Sequence, residues 1–163
     1  MENNTQFKIT YYSNKDKKHI TRNGKWDEKC KYWTSKMGAK LITYFIRIIF
    51  GCYLPYQLKL GKNFVVGYSG IGIVIHDRTI IGEDVHVDQN VTIGGTSKKY
   101  EVPKIGNHVY IGAGAVILGP ITIGDNVVIG ANSVVVNNIP SNSLVVGAPA
   151  KIIKKGITKE QYV

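Results

Sequence analysis

The sequence predicts an all-β solenoid, a parallel β-helix that follows a short, partly helical N-terminal segment. Three features predict it. An aliphatic residue, often followed by glycine, returns every six positions; the fifth residue of each six-residue repeat (hexad) is usually small or β-branched; and Gly, Asn and Asp occupy the positions between. Self-similarity at a short fixed period is typical of solenoids, and the abundance of Gly and β-branched residues argues against helices.

The chain begins with a basic, partly helical appendage, predicted over residues 1–57. Within it, residues 36–54 are predicted to form a helix with a mostly apolar surface, and Pro55 is expected to end this helix. We expect this helix to cap the open end of the solenoid or to pack against a partner chain, because an uncapped end exposes strand edges. The alternative is contact with a membrane surface, since basic residues flank the apolar run. The run is too short to span a membrane comfortably and contains Arg47.

The net charge of +10 is concentrated in this appendage. Residues 1–60 hold twelve Lys and Arg against four Asp and Glu, whereas residues 61–163 hold nine against seven. This imbalance indicates either an anionic partner, such as a nucleotide or a lipid surface, or a solvated basic face. We expect no nucleic-acid partner and at most peripheral membrane contact.

The two cysteines, Cys30 and Cys52, fit no zinc-binding spacing, so no metal site is predicted. The chain shows no signal peptide. Together these features indicate reduced thiols and a cytoplasmic location.

The β-helix is predicted over residues 58–150, followed by a basic C-terminal tail over residues 151–163. The first and fifth residues of each hexad should point inward, and three hexads should make one coil of a triangular prism. Each side is a short strand paired in parallel with the strand one coil away. After a first hexad at Leu60, those of side A begin at residues 75, 93, 117 and 135, those of side B at 81, 105 and 123, and those of side C at 66, 87, 111 and 129.

Two breaks interrupt the repeat, and function in solenoids tends to lie at such interruptions. At the first, nine residues, VGYSGIGIV from Val66 to Val74, occur where six would suffice, between sides C and A. At the second, KYEVPK over residues 99–104 adds a loop between sides A and B. One rung beyond the first break, Gly94 and Gly95 would let a ligand approach the backbone closely.

Three stretches, QNVTIGGT, VPKIGNHVYIGAGAVILGPITIGDNVVIGANSVV and VVGAPAKII, resemble the serine O-acetyltransferase branch of the hexapeptide acyltransferases. The resemblance covers residues 60–153. It implies a left-handed parallel β-helix, although the general rule for parallel crossovers favours the opposite hand. It also implies a homotrimer or a multiple of trimers, with acetyl-CoA as co-substrate in the cleft between two prisms.

The chain departs from that family at both of its signature histidines. Tyr68 and Ser69 stand where the family has the motif D-H-x-T-G, and Val102 stands where a histidine precedes P-K-I. In this respect the chain resembles the short serine-acetyltransferase-like proteins encoded with surface-polysaccharide genes, which carry a GxGIVIH pattern. Acetyl transfer still needs a base with a near-neutral pKa. We therefore expect His76, at the edge between sides C and A, to be the general base, with Tyr68 and Ser69 binding the acceptor.

Glu101, on the second loop, is expected to lie far from His76 within one chain. In a trimer, the loop of a neighbouring chain would close over the cleft, where Glu101 would orient the base or the acceptor. The alternative is an exposed loop residue.

The remaining histidines are interpreted as surface residues. His108 is expected beside Asp84, one coil below, as a polar ladder or, alternatively, a catalytic dyad. His86 is expected to stack under Tyr110, and His19 to be solvated in the appendage.

The resemblance also implies cofactor contacts. Gly95, Ala113 and Ala131 match positions where small residues let the pantetheine arm lie along the prism. Lys151 and Lys154 would meet the nucleotide phosphates as point charges, or belong to a solvated tail.

The function expected is that of an acetyl-CoA-dependent O-acetyltransferase. Its acceptor would be the hydroxyl of serine or of a surface-polysaccharide sugar, acetylated directly and without a covalent enzyme intermediate. Two alternatives remain open at this point: an N-acetyltransferase acting on an amino sugar, and a catalytically inactive trimeric scaffold, which the missing histidines favour.

Overall fold

A computed structural model describes residues 28–162, with side-chain surroundings from residue 37 onward. The first element is helix α1, Glu28–Phe50. The predicted helix boundaries were wrong at both ends: α1 begins before residue 36 and ends before Pro55, because Gly51 takes a left-handed φ of +60° that stops the helix. The segment before residue 28, which includes His19 and six of the eleven basic residues of the appendage, lies outside the described residues.

Fourteen strands follow α1 in the described part of the chain, thirteen of them in parallel pairing. Face A consists of β3 (Val74–Ile75), β6 (Thr92–Gly94), β9 (Val116–Leu118) and β12 (Val134–Val135). Face B consists of β1 (Lys59–Leu60), β4 (Ile80–Ile81), β7 (Lys104–Ile105) and β10 (Thr122–Ile123). Face C consists of β2 (Val65–Val66), β5 (His86–Val87), β8 (Tyr110–Ile111), β11 (Val128–Ile129), β13 (Ser143–Val146) and β14 (Lys151–Lys155).

These faces are the predicted sides, and their register is the predicted one. Ile75 pairs with Ile93, Ile93 with Ile117 and Ile117 with Val135, so equivalent hexad positions stack directly. The whole is a left-handed parallel β-helix of about four turns, and the predicted fold class is confirmed.

A single column of aliphatic side chains fills the prism. The first hexad residues are buried, as Ile93, Ile111 and Ile129 illustrate, and so are fifth residues such as Val91 and Val109. Each such side chain contributes about 1.5–3 kcal/mol by leaving water. The inward positions of the hexad are therefore the positions that the sequence predicts, and this column sets the register of the three faces.

The turns follow the first residue of each hexad rather than precede it. In hexad 81–86, for example, β4 ends at Ile81 and the chain turns through Asp84, whose φ is +53°. The fourth hexad residue is left-handed in most coils, which explains why Asn, Asp and Gly recur there; such residues tolerate this conformation best. Two-residue strands joined by these turns define the edges of the prism.

The N-terminal end of the prism is closed mainly by the residues after α1. Cys52 and Leu54 are buried in the core, and Tyr53 makes a parallel bridge to Val74. Among the α1 residues whose side chains the structure describes, 37–50, only Ile46 packs on this core. The helix therefore does not bury its apolar surface against the prism of its own chain, and the alternative contact with a partner chain stays a prediction. Its apolar side chains instead face outward. No helix in the described residues is long and apolar enough to cross a membrane.

The C-terminal residues pack on the prism instead of leaving it as a tail. β14 runs antiparallel to β13 and continues face C beyond the last coil. Ile157 is buried, and Lys159 reaches back to the coil that contains Asp84. The last segment thus connects the strand added beyond the last coil to the coil that contains Asp84.

Candidate active site

The first break of the repeat forms a short 3-10 turn, Gly67–Gly70, between β2 and β3. Tyr68 and Ser69 both have left-handed backbones, with φ of 48° and 59°. Two successive non-glycine residues in this region store strain, which is typical of functional sites. Tyr68 is 71% exposed, so its phenol is available to a ligand on this edge, the C–A edge.

A cluster of polar side chains lies on face C beside this turn. His86 Nε2 lies 3.1 Å from Asp88 Oδ1, and the Tyr110 hydroxyl donates a hydrogen bond of 2.6 Å to Asp88 Oδ2. The ring centroids of His86 and Tyr110 lie 5.3 Å apart with the rings tilted by 51°, so His86 lies directly under Tyr110 as predicted. We call His86, Asp88 and Tyr110 the face C cluster.

The face C cluster is partly shielded from solvent. The side chains of His86 and Asp88 are 15% and 11% exposed. Burial raises the pKa of Tyr110 far above its ordinary value, and the hydrogen bond to Asp88 adds to this. Tyr110 therefore stays protonated and keeps donating to an Asp88 carboxylate.

His76 lies on a different edge from the one that was predicted. It follows β3, so it opens the turn that leads from face A to face B, and the expectation that it lies at the C–A edge was wrong. The physical reason is that the strand ends at the first hexad residue, Ile75, instead of beginning there. Within its turn, His76 Nδ1 lies 2.8 Å from Asp77 Oδ1 and accepts the backbone N–H of Arg78 at 3.2 Å.

The loop of the second break leans back on this same turn. The Arg78 guanidinium lies 3.9 Å from the centre of the Tyr100 ring, a close cation–π contact. The expectation that the loop of Glu101 lies far from His76 within one chain was therefore wrong, because this loop and the His76 turn share the A–B edge. Both Tyr100 and Glu101 are exposed.

His108 and Asp84 form the predicted ladder on the turn from face B to face C. His108 Nδ1 lies 3.0 Å from Asp84 Oδ2, and Lys159 Nζ lies 3.0 Å from the same oxygen. Burial opposes ionisation of Asp84, but hydrogen bonds from His108 and Lys159 outweigh it and hold its pKa below the ordinary value. Glu160 completes a group of potential metal ligands, in which Lys159 already supplies a cation to the carboxylate.

The predicted cofactor contacts fall mostly on the C–A edge. Ala113 and Ala131 occupy equivalent turn positions one coil apart, since Asn132 N–H donates to Ala113 O. Lys151 begins β14 where face C meets this edge, and Lys154 lies further along the same strand. Both lysines are exposed. The C–A edge thus carries a row of small residues with two ammonium groups at its end.

Gly95 is the exception among these candidates. It follows β6 and lies on the A–B edge, where an added Cβ would approach Val102 Cγ1 to 3.3 Å. Val102 is itself buried, so it packs the loop against the prism.

Asp88 is the residue that the sequence prediction missed, although a signal was present. The second residue of a hexad is usually glycine. In only two hexads does this position carry an ionisable side chain, namely His76 and Asp88. Glycine at this position lets the turns of successive coils stack closely. A carboxylate at this position therefore needs a neighbouring coil that leaves room for it. Gly67 provides that space, because a Cβ added to it would collide with Asp88 Oδ1.

Comparison with known proteins finds a matching family model and several similar proteins. The family described as "Bacterial transferase hexapeptide (six repeats)" matches residues 103–137. A serine acetyltransferase of Staphylococcus xylosus is 44% identical over 119 residues, 72% of this chain and 55% of that protein. A serine acetyltransferase of Helicobacter pylori (strain J99 / ATCC 700824) is 42% identical over 119 residues, 72% of this chain and 69% of that protein.

A solved structure is similar over an even larger part of the chain. It is the serine acetyltransferase of Brucella abortus strain S19 in complex with coenzyme A, with a TM-score of 0.68 and 33% sequence identity. The match covers 80% of this chain and 54% of the Brucella chain. The chain thus spans little more than half the length of two of these three relatives.

Proposed function

The chain belongs to the serine acetyltransferase family of hexapeptide-repeat proteins, and from this we propose that it transfers the acetyl group of acetyl-CoA to a hydroxyl group of a small acceptor. The observation that carries the proposal is the similarity of 80% of the chain to a structure that binds coenzyme A. The row of Ala113, Ala131 and Lys151 on the C–A edge supports it, because it offers accessible backbone and positive charge to that ligand.

The proposed acceptor is serine, the substrate in the relatives' names, with a surface-polysaccharide sugar as the alternative hydroxyl. Tyr68 and Ser69 replace the family's histidine motif at the edge where the acceptor would bind. An exposed phenol and a hydroxyl in a strained turn suit hydrogen bonding to an acceptor. Glu101 is a further candidate contact, from the loop of the second break.

Transfer requires a base, oxyanion donors and alignment of the two reactants. His76 is the base predicted from the sequence. The backbone amides near Gly95, Ala113 and Ala131 are the candidate hydrogen-bond donors to the oxyanion. These residues lie on two different edges of the prism. A site that uses both edges must combine two chains, so we propose a homotrimer, or a multiple of trimers, with the reaction at the cleft between neighbours.

A second candidate function is a catalytically inactive trimeric scaffold. The specific observation in its favour is that Tyr68 and the buried Val102 occupy the positions of both family histidines.

The deciding experiment is acetyl-CoA turnover by the purified full chain, followed as free thiol release, against L-serine, neutral sugars and amino sugars. We expect release with a hydroxyl acceptor. Release only with amino sugars would replace the proposal by N-acetylation. No binding of acetyl-CoA, measured by calorimetry, would contradict the proposal and favour the scaffold.

A further inference from the structure

The face C cluster is built together with the first break of the repeat. A Cβ at Gly67 would collide with Asp88 Oδ1 and lie 3.2 Å from His86 Nε2. The glycine that opens the strained turn is therefore also what leaves room for the histidine and its carboxylate. This links the cluster to Tyr68 and Ser69, the residues at the candidate acceptor position.

The hydrogen bonds of the cluster define the tautomer of His86. Asp88 Oδ2 accepts the Tyr110 hydroxyl, and Asp88 Oδ1 faces His86 Nε2. A carboxylate can only accept, so Nε2 carries the proton and Nδ1 of a neutral imidazole carries the lone pair. Among the described residues, Nδ1 of His86 makes no hydrogen bond, so this lone pair remains available for a proton.

His76 lacks this arrangement. Both of its contacts come from its own turn, and they compete for one nitrogen: Asp77 Oδ1 requires a donor at Nδ1, whereas Arg78 N–H requires an acceptor there. Its side chain is also 34% exposed, against 15% for His86. His86 is thus held in one orientation by groups from two coils, and His76 is not.

We propose that His86 is the general base of the acetyl transfer and that Asp88 and Tyr110 are positioning residues that hold its imidazole. The inference rests on the proposed acetyltransferase function. It assigns the base to His86 on face C, beside the Gly67–Gly70 turn where the resemblance places the family's histidine motif, and not to His76.

The step balances without any further reactant. As the acceptor oxygen attacks the thioester carbonyl carbon, His86 Nδ1 takes the hydroxyl proton. A C–O bond forms, the C–S bond breaks, and the departing thiolate takes the proton from the imidazolium. The products are the acetyl ester and the free thiol of coenzyme A, with His86 neutral again.

The test compares His86→Gln with His108→Gln in the full chain. Glutamine keeps a donor for Asp88 but removes the base, so we expect kcat to fall by on the order of 100-fold or more, with acetyl-CoA binding unchanged. His108 is a half-exposed histidine that also faces a carboxylate, so His108→Gln should keep wild-type turnover. Near-normal turnover in His86→Gln, or loss in His76→Gln alone, would overturn the inference and leave the proposed function standing.

The positioning role has its own readout. Asp88→Asn should lower kcat, because the imidazole of His86 is no longer held by a carboxylate. The KM for acetyl-CoA should stay near its wild-type value because the reactants still bind, and the thermal midpoint should also change little. A rise in KM with kcat unchanged would instead assign Asp88 to binding and overturn its positioning role.

A second measurement does not depend on knowing the acceptor. The imidazole C2–H NMR signal of His86, assigned by its absence in His86→Gln, should shift when acetyl-CoA is added. Binding of acetyl-CoA without any shift of this signal would overturn the inference. Failure of the proposed function can be distinguished from failure of the His86 assignment alone. If the proposed function is wrong, the wild-type chain neither binds acetyl-CoA nor releases thiol, and the inference fails with it.

Discussion

Single residues with left-handed backbones hold the prism's corners. Asn63, Asn126 and Asn132 occupy the fourth hexad position with φ between 53° and 55°. Asparagine adopts this conformation more readily than other non-glycine residues, and a β-branched residue is strained there. The pattern of small polar residues is therefore a requirement of the backbone, independent of any ligand.

Asn126→Ala tests this requirement. We expect it to lower the free energy of unfolding by about 1 kcal/mol, because alanine is less tolerant of positive φ, while Asn126→Gly should be close to neutral. Asn137→Ala, at an exposed asparagine that is not among the positive-φ residues, is the matched control and should change little. Chemical denaturation measures all three; equal effects of Asn126→Ala and Asn137→Ala would contradict the prediction.

At the scale of elements, the 3-10 turn after β2 carries the link between fold and site. Gly67 has no left-handed φ, so alanine fits its backbone but not its surroundings. Gly67→Ala should displace Asp88 and His86 and cost about 1–3 kcal/mol of stability by overpacking. We also expect lower kcat at temperatures where the variant is fully folded.

The matched control is Gly38→Ala, in α1, where an added Cβ meets nothing within 4 Å. It should be neutral or slightly stabilising, since alanine favours a helix. A Gly67→Ala variant with wild-type turnover would show that the position of Asp88 does not matter for activity.

The C-terminal segment is a second element whose attachment is testable. Lys159 joins it to Asp84, whose pKa lies below its ordinary value of 3.8. A carboxyl with a depressed pKa in the folded state contributes stability above its unfolded pKa and loses it as the pH falls through the folded pKa. The stability difference between wild type and Asp84→Asn should thus be constant near neutral pH and shrink below about pH 4. Thermal unfolding across pH measures it; a difference that grows on acidification would contradict the prediction.

The sequence predicted the three faces and their register because burial imposes a strict period, visible in residues such as Ile93 and Ile117. It did not predict the edge on which His76 lies, since the period does not tell whether a strand begins or ends at the inward residue. The start of α1 was also missed, because residues 28–35 lack the apolar pattern on which the prediction relied. The face C cluster required tertiary information: Asp88 meets Tyr110 only when two coils stack.

At the scale of the whole molecule, the exposed apolar surface of α1 is the feature that a single chain leaves unexplained. Leu41, Phe45 and Ile48 lie on one side of the helix and are each more than half exposed. Exposed apolar surface of this extent is typical of protein–protein contacts. This apolar surface therefore supports the proposed trimer.

The native mass should therefore be a multiple of three times the 18.0 kDa of one chain. Native mass spectrometry or light scattering measures this directly, and a monomer at all concentrations would contradict the proposal.

If α1 contributes to the contacts, the double variant Leu41→Glu and Phe45→Glu should dissociate at higher protein concentration than wild type, because charges in an apolar interface are costly. Lys40→Glu, at an exposed polar position of the same helix, is the control for charge alone. If the double variant and the control dissociate alike, the trimer is held by the prism faces, and the apolar surface of α1 serves another contact.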